Sequence, residues 1–128
     1  MSESDQQVAI IQWFRRAYPK WSGLLYSCPS GFVSGGRNKF ALIAKLKREG
    51  WRIGVSDLIL DLPRGHFHGL RLELKDQGKT RCSVKDEQHA YIDDMLAQGY
   101  MACWAPGSDF AIKVIKAYIN LGEFSNKK

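Results

Sequence analysis

Apolar positions along this chain follow a helical period in some segments and a strand period in others. In the first segment Val8, Ile11 and Phe14 form a stripe at helical spacing. In residues 70–75, by contrast, leucine alternates strictly with charged residues, which is typical of a strand. These patterns, with glycine and proline as stop signals, predict seven elements. In chain order they are helices over residues 3–17 and 39–49, strands over 56–62 and 70–75, a helix over 83–98, a strand over 100–105 and a helix over 108–121.

The order of these elements predicts the fold class. The turn sequence Pro63-Arg64-Gly65 separates the first two strands, which predicts an antiparallel hairpin. A strand–helix–strand segment follows, so we expect an α/β domain whose mixed, mainly antiparallel sheet is flanked by helices. Residues 22–37 lack periodicity and are predicted to form an irregular loop. No internal repeat or linker divides the chain, so we expect one domain over residues 1–128.

Composition narrows the class of protein. Of the 128 residues, 45% are hydrophobic and 25% are charged, as in an ordinary globular domain. The longest apolar run is far short of the roughly 20 residues that a membrane span needs. The polar, acidic N-terminus does not resemble a secretory signal. Cys28, Cys82 and Cys103 are odd in number and lack CxxC spacing, which favours reduced thiols and a cytoplasmic location.

The charge balance points to a class of partner. Nineteen Lys and Arg residues against thirteen Asp and Glu residues give a net charge of +6. An excess of this size favours a polyanion, most often nucleic acid. The basic residues that are candidates for phosphate contacts are Arg15, Arg16, Arg37, Lys39, Lys45, Lys47, Arg48, Lys79 and Arg81.

Three charged residues interrupt the apolar pattern of the predicted hairpin. Asp57 begins one strand, and Glu73 and Lys75 share one face of the other. If the hairpin is in register, the two carboxylates and the amine converge at one end of the sheet. That set suits metal-assisted hydrolysis, because Mg²⁺ prefers carboxylate oxygens, retained waters and an occasional backbone carbonyl, here that of Leu74. Lys75 would then position the attacking water or stabilise charge on phosphorus.

Polar residues also extend the inward stripes of two predicted helices. Gln88 falls on the stripe of the third helix, and Glu3 and Gln7 continue that of the first. Polar groups that face inward need partners, which a site at the end of the sheet would provide.

Plainer interpretations stay open for each residue taken alone. Glu73 and Lys75 could form a solvated E-x-K pair, Asp57 could stabilise a local turn, and Gln88 could be a buried amide bonded to backbone. His66 and His68 could bind zinc with Cys82, although histidines beside a turn are usually solvated. The nucleotide-binding motif GxxxxGK[ST], the dinucleotide motif GxGxxG and the zinc-protease motif HExxH are all missing from the sequence.

Taken together, these residues resemble the VRR-NUC family of the PD-(D/E)XK nuclease superfamily. The resemblance extends from Glu3 to Tyr118, and its most specific part is a combination of three motifs. These are G-V-x-D at residues 54–57, G-L-x-x-E-x-K at residues 69–75 and S-x(4)-Q at residues 83–88.

The resemblance implies a restriction-endonuclease-like core and a structure-specific DNA endonuclease that depends on Mg²⁺ or Mn²⁺. It implies catalytic roles for Asp57, Glu73, Lys75 and Gln88, with Asp57 and Glu73 as metal ligands. It also implies a homodimer similar to Holliday-junction resolvases, which act on four-way DNA junctions, and an origin in a bacterial cell or a phage-infected host. The sequence departs from the family at Ser56, where proline is usual, and at residues 28–31 (C-P-S-G), where P-N-G is common.

Other functions stay open at this point. The chain could be a non-catalytic DNA-binding or assembly subunit that keeps the nuclease fold. It could also be a nuclease without a preference for junctions, or one directed at RNA.

Overall fold

The computed structural model describes residues 2–28, 38–80 and 83–126. Within these ranges the helices are α1 (Glu3–Ala17), a short 3₁₀ helix (Pro19–Leu24), α2 (Lys39–Arg48), α3 (Asp86–Ala97) and α4 (Ser108–Ile119). The strands are β1 (Leu25–Ser27), β2 (Leu58–Leu60), β3 (Leu70–Lys75) and β4 (Met101–Pro106). No helix in the described ranges is both long and apolar enough to cross a membrane.

The four strands form one sheet in the order β1-β2-β3-β4. The β1–β2 and β2–β3 pairs are antiparallel, and the β3–β4 pair, which α3 connects, is parallel. The predicted mixed α/β fold with a mainly antiparallel sheet is therefore confirmed. The prediction of an irregular loop over residues 22–37 is wrong at β1, since Leu25 pairs with Leu60 there, and residues 29–37 lie outside the described residues. A three-residue strand with one buried side chain leaves no periodic pattern to detect.

One face of the sheet carries the hydrophobic core. Leu70, Leu72 and Leu74 of β3 are all buried on this face, together with Leu58 and Leu60 of β2. Helices α1 and α4 cover it with their apolar sides, which supply Ile10, Phe14, Ala111, Ile115, Tyr118 and Ile119. We call this the leucine face.

The opposite face of β3 presents Arg71, Glu73 and Lys75, because successive side chains of a strand point to opposite sides. Helix α3 lies on this side and buries Tyr91 and Ile92. We call it the charged face. It is this face that holds the residues on which the functional prediction depends.

The buried stripe of α1 differs from the predicted one. Gln6, Ile10 and Phe14 are buried at intervals of four residues, whereas Val8 is exposed. The predicted row and the observed row are both compatible with helical spacing, so spacing alone could not distinguish them. Helix α3 begins at Asp86 rather than at Ser83, and Lys85 occupies the N-cap position, where its backbone N–H donates to the Gln88 side chain.

Helix α2 has no buried residue. Its apolar side chains include Phe40, which is 83% exposed, and its last turn carries Lys45, Lys47 and Arg48. The helix therefore adds basic charge to the surface without contributing to the core.

Candidate active site

The register of the hairpin brings the two predicted carboxylates together. Leu58 pairs with Leu72, so the next positions in the same register are Asp57 and Glu73. Directly opposed residues of an antiparallel pair point to the same face of the sheet. Both carboxylates therefore lie at the end of the charged face, and Lys75 follows Glu73 on the same side.

Asp57 is positioned by a hydrogen bond with the neighbouring strand. Its Oδ2 accepts the backbone N–H of Leu74 at 2.8 Å, beyond the last backbone pair of the β2–β3 ladder. The N–H and C=O groups of one strand residue point to the same side. The Leu74 carbonyl consequently points toward the side of Asp57, and Leu74 lines the cavity there.

Glu73 is only 3% exposed, which is rare for a carboxylate. Its Oε1 accepts a hydrogen bond of 2.6 Å from Nε2 of Gln88, whereas its buried Oε2 has no hydrogen-bond partner among the described residues. Burial raises the pKa of Glu73 to about 9, with a smaller contribution from the nearby negative charge of Asp57. The positive charge of Lys75 opposes this rise.

Gln88 joins the charged face to the start of α3. Its Oε1 accepts hydrogen bonds from Nζ of Lys75 and from the backbone N–H of Lys85, both at 2.9 Å. Because its amide nitrogen donates to Glu73, one side chain orients both the acid and the amine. The backbone N–H of Lys85 is one of the free donors at a helix N-terminus, so the same amide also caps α3.

An open cavity of about 450 Å³ lies over these groups. Glu3 reaches it from α1, and its pKa is raised, first by burial and then by the negative charges of Asp57 and Asp76. The other side of the cavity is formed by residues 51–55 and the start of α3. Gly54 has a φ of +90°, and a Cβ at this position would clash with the carbonyl oxygen of Glu87. Glycine therefore permits the close approach that shapes this wall.

The donor atoms of the cavity fit a hard divalent cation. The described residues contain no cluster of three or more His, Cys, Asp or Glu side chains with metal-binding geometry. The available set is two carboxylates, Asp57 and Glu73, with the carbonyl of Leu74. Mg²⁺ is usually held by one or two carboxylates and keeps several waters, so a short set of oxygen ligands is sufficient. Oε2 of Glu73, which has no partner in the part of the chain that the structure describes, is the group that most needs such a ligand.

The structure brings together six of the predicted residues and separates one. Asp57, Glu73, Leu74, Lys75 and Gln88 all line the cavity, and Glu3 joins them from α1. Gln7 does not line it.

The buried amide of α1 is instead Gln6, whose Oε1 accepts the backbone N–H of Ser108 at 2.8 Å. That bond fastens α1 to the start of α4, so the residue has a structural place. Its spacing of four from Ile10 fits the buried row, but Gln7 fits the row of Ile11 and Phe14 equally well, so spacing could not choose between the two glutamines.

The wall residues Trp51, Ile53 and Lys85 were not predicted as parts of the site, although they line the cavity. None of the three belongs to a chemical motif. Only their position just before Asp57 could have indicated Trp51 and Ile53.

The histidines of the suggested zinc set have other contacts. His66 Nδ1 lies 2.7 Å from the Ser125 carbonyl oxygen, and the His68 ring contacts Tyr100 and Phe124. Cys82, the third member of the suggested zinc set, lies outside the described residues.

Comparison with known proteins supplies the class and the family. No family model matches this chain, and no curated protein matches it. Among solved structures, a protein titled "VRR_NUC domain protein" superimposes with a TM-score of 0.83 at 32% sequence identity, and the match covers 98% of this chain and 94% of that one. The mixed sheet, its flanking helices and this likeness define a nuclease-fold domain. The chain belongs to the VRR-NUC family, and the resemblance noted in its sequence is confirmed.

Proposed function

We propose that this protein is a metal-dependent, structure-specific DNA endonuclease that hydrolyses phosphodiester bonds, with a preference for branched DNA such as four-way junctions. We propose further that residues 1–128 form one VRR-NUC-like nuclease domain. Membership of the family supports the class of reaction. The buried Glu73 carboxylate carries the proposal, because its Oε2 lies beside Asp57 without a hydrogen-bond partner among the described residues.

In this proposal Asp57, Glu73 and the carbonyl of Leu74 hold Mg²⁺ or Mn²⁺. The bound ion supplies Lewis-acid chemistry, which lowers the pKa of water and offsets the charge that develops on a phosphate. A buried carboxylate in a raised-pKa environment is costly to ionise, so Glu73 is suited to a place where a cation compensates its charge. The hydrogen bond from Leu74 fixes Asp57 before any ligand arrives.

Lys75 and Gln88 complete the proposed catalytic set. Lys75 Nζ carries a positive charge at the cavity and has two further N–H donors besides the one it gives to Gln88. It can therefore orient an attacking water or donate to a phosphate oxygen. Gln88 holds the Lys75 amine and the Glu73 carboxylate in fixed relative positions, and reorganisation during the reaction is correspondingly small.

The proposed substrate and assembly follow from the family resemblance and the charge. A two-fold homodimer would present one site to each of two symmetry-related strands of a junction. The net charge of +6 favours binding to phosphates and strong salt dependence. Of the basic residues named above, Arg37 and Arg81 lie outside the described residues. A cytoplasmic location in a bacterial or phage-infected cell completes the proposal.

Cleavage of three labelled substrates tests the proposal. The purified protein is incubated with Mg²⁺, Mn²⁺ or EDTA on a four-way junction, a linear duplex and a single strand of the same sequence. Glu73→Ala removes the proposed ligand, and Glu123→Ala, which changes an exposed glutamate near the C-terminus, is the matched control. We expect metal-dependent cuts on the junction that are lost in Glu73→Ala and kept in Glu123→Ala.

Each departure from this result has a definite meaning. Full activity of Glu73→Ala would contradict the site assignment. Equal cutting of all three substrates would retain the chemistry and remove the junction preference. Intact DNA binding without cleavage under any metal condition would replace the proposal with a non-catalytic binding subunit.

A further inference from the structure

A row of aromatic rings and cations lies away from the candidate active site, where the end of α1 meets the 3₁₀ helix and α4. The ring of Trp13 contacts Tyr18 edge to face at 5.8 Å between centroids, and Tyr18 stacks on Trp21 at the same distance. Lys20 Nζ lies 4.5 Å and Arg64 Cζ 4.6 Å from the centre of the Trp21 ring. We call these residues, together with Lys116, whose Nζ lies 5.7 Å from the Trp13 ring, the basic aromatic row.

The row is separate from the candidate site. Trp13 follows Glu3 by ten positions on α1, which corresponds to roughly 15 Å along the helix axis. Trp13, Tyr18 and Trp21 pack against the core on the leucine face, whereas Glu73 lies on the charged face. The row and the cavity are therefore associated with different faces of the sheet.

The cations of the row have spare binding capacity. In the described part of the chain, no carboxylate lies within ion-pair distance of Lys20, Arg64 or Lys116, and the two ion pairs found there join other residues. Lys20 and Lys116 are exposed, so their ammonium groups can reach a ligand. The neighbouring rings restrict where the cationic groups lie, so less side-chain freedom is lost when they bind an anion.

Geometry also indicates which part of a nucleic acid such a surface would contact. Bases stack on aromatic side chains whose faces are open. The faces of Trp21 are occupied by Tyr18, Lys20 and Arg64, which leaves the positive charges as the groups that meet a ligand. Charges without an open stacking surface favour the phosphate backbone over the bases.

We infer that the basic aromatic row binds the phosphate backbone of a second nucleic-acid segment, distinct from the segment at the cavity. The inference rests on the proposed nuclease function for the class of the partner, and it adds a surface and a mode of contact. Binding there is independent of base sequence and decreases with salt, because phosphate contacts release counterions. A branched substrate, which offers several duplex arms, is the kind of ligand that supplies two segments at once.

The test measures binding without cleavage. The double variant Lys20→Gln/Lys116→Gln removes two exposed charges of the row, and Lys20→Arg/Lys116→Arg keeps them as the matched control. Affinity for a long-armed four-way junction is measured over a range of salt concentrations in EDTA. We expect the glutamine variant to lower the slope of log affinity against log salt by about 1.8, or about 0.9 for each lost phosphate contact, and the arginine variant to keep the wild-type slope.

A second measurement locates the contact directly. The amines are acetylated with and without the junction, and the modified lysines are read by mass spectrometry. Protection of both Lys20 and Lys116 by DNA is expected. The inference is overturned if the glutamine variant keeps the wild-type slope and DNA leaves the acetylation of both lysines unchanged. It is also overturned if the glutamine variant loses binding to anionic lipid vesicles while its affinity for DNA is unchanged.

These results are distinguishable from failure of the proposed function. If the protein cleaves nothing but the glutamine variant shows the reduced slope, the nuclease proposal fails and the second binding surface stands. If the protein cleaves junctions and the glutamine variant keeps the wild-type slope, the nuclease proposal stands and the second binding surface fails.

Discussion

The two faces of strand β3 differ in what they contribute to this protein. Leu70, Leu72 and Leu74 are almost completely buried and pack against α1 and α4. One residue away along the same strand, Glu73 is buried to a similar degree with a carboxyl oxygen that lacks a partner in the described ranges. The leucines stabilise the fold by removing apolar surface from water, whereas the buried carboxyl group of Glu73 lowers its stability. A stability cost retained within an otherwise well-packed sheet is typical of a functional site.

The largest expected effect comes from the acid on the charged face. The folded protein keeps the proton of Glu73 far above the ordinary pKa of 4.5, while the unfolded chain releases it near that value. The stability that this proton contributes without metal is therefore present below pH 4.5 and is lost as the pH rises toward 9, by at most roughly 1 kcal/mol per pH unit. Glu73→Gln mimics the protonated acid and removes this dependence.

Urea unfolding in EDTA at several pH values measures that difference. We expect the Glu73→Gln variant to exceed the wild type in unfolding free energy by an amount that grows with pH. Glu123→Gln, which changes an exposed glutamate, should follow the wild type. Parallel profiles for the wild type and Glu73→Gln would show that burial does not penalise the charge of this acid.

The leucine face gives the next largest effect. Leu72→Ala leaves a cavity between the sheet and its covering helices, and we expect the free energy of unfolding to fall by about 3 kcal/mol. Leu96, which is 45% exposed on α3, provides the matched leucine-to-alanine control and should cost less than about 1 kcal/mol. Both are measured by urea unfolding, and equal costs for the two variants would mean that the face is not the core.

The next effect concerns activity and comes from Gln88, which contacts two residues of the charged face. Gln88→Ala frees both Lys75 and Glu73 from their shared partner, so we expect cleavage to fall roughly 10- to 100-fold and the Mg²⁺ requirement to rise. His89→Ala alters the next residue of α3 and should leave both quantities near wild type. Titration of the cleavage rate with Mg²⁺ measures the effect. An unchanged metal requirement would contradict the positioning role.

The smallest effect is expected at Gln6. Gln6→Ala removes the acceptor of the Ser108 N–H at the start of α4, which should lower the unfolding free energy by about 1 kcal/mol. Gln7→Ala is the matched control on the same helix and should change it by less. Thermal unfolding of the two variants is sufficient for the comparison. If Gln7→Ala is the more destabilising variant, the assignment of the buried row of α1 is incorrect.

The sequence predicted the hairpin well because both of its determinants are local. The strict alternation in β3 fixes which residues share a face, and the turn between the strands fixes their direction. They predicted that Asp57 and Glu73 converge if the hairpin is in register, and the pairing of Leu58 with Leu72 supplies that register. The orientation of Gln88 toward the sheet could likewise be deduced from helical spacing.

The features that escaped prediction depend on tertiary contacts. Strand β1 exists because Leu25–Ser27 pairs with β2, and no pattern within three residues encodes that partner. The choice between Gln6 and Gln7 depends on which side of α1 meets α4, which the sequence of α1 alone does not contain. The wall formed by residues 51–55 requires the contact between Gly54 and Glu87, thirty-three positions apart.

The hydrogen bond from the Leu74 N–H to the Asp57 carboxylate has an evolutionary consequence. Here a side chain takes the place of a backbone carbonyl in the ladder, so an acceptor at position 57 serves the sheet whether or not the protein cuts DNA. Glu73 has no such second use, and an apolar residue would serve the fold better there. In a lineage that abandoned catalysis, selection for folding alone would therefore erase position 73 and preserve an oxygen at position 57.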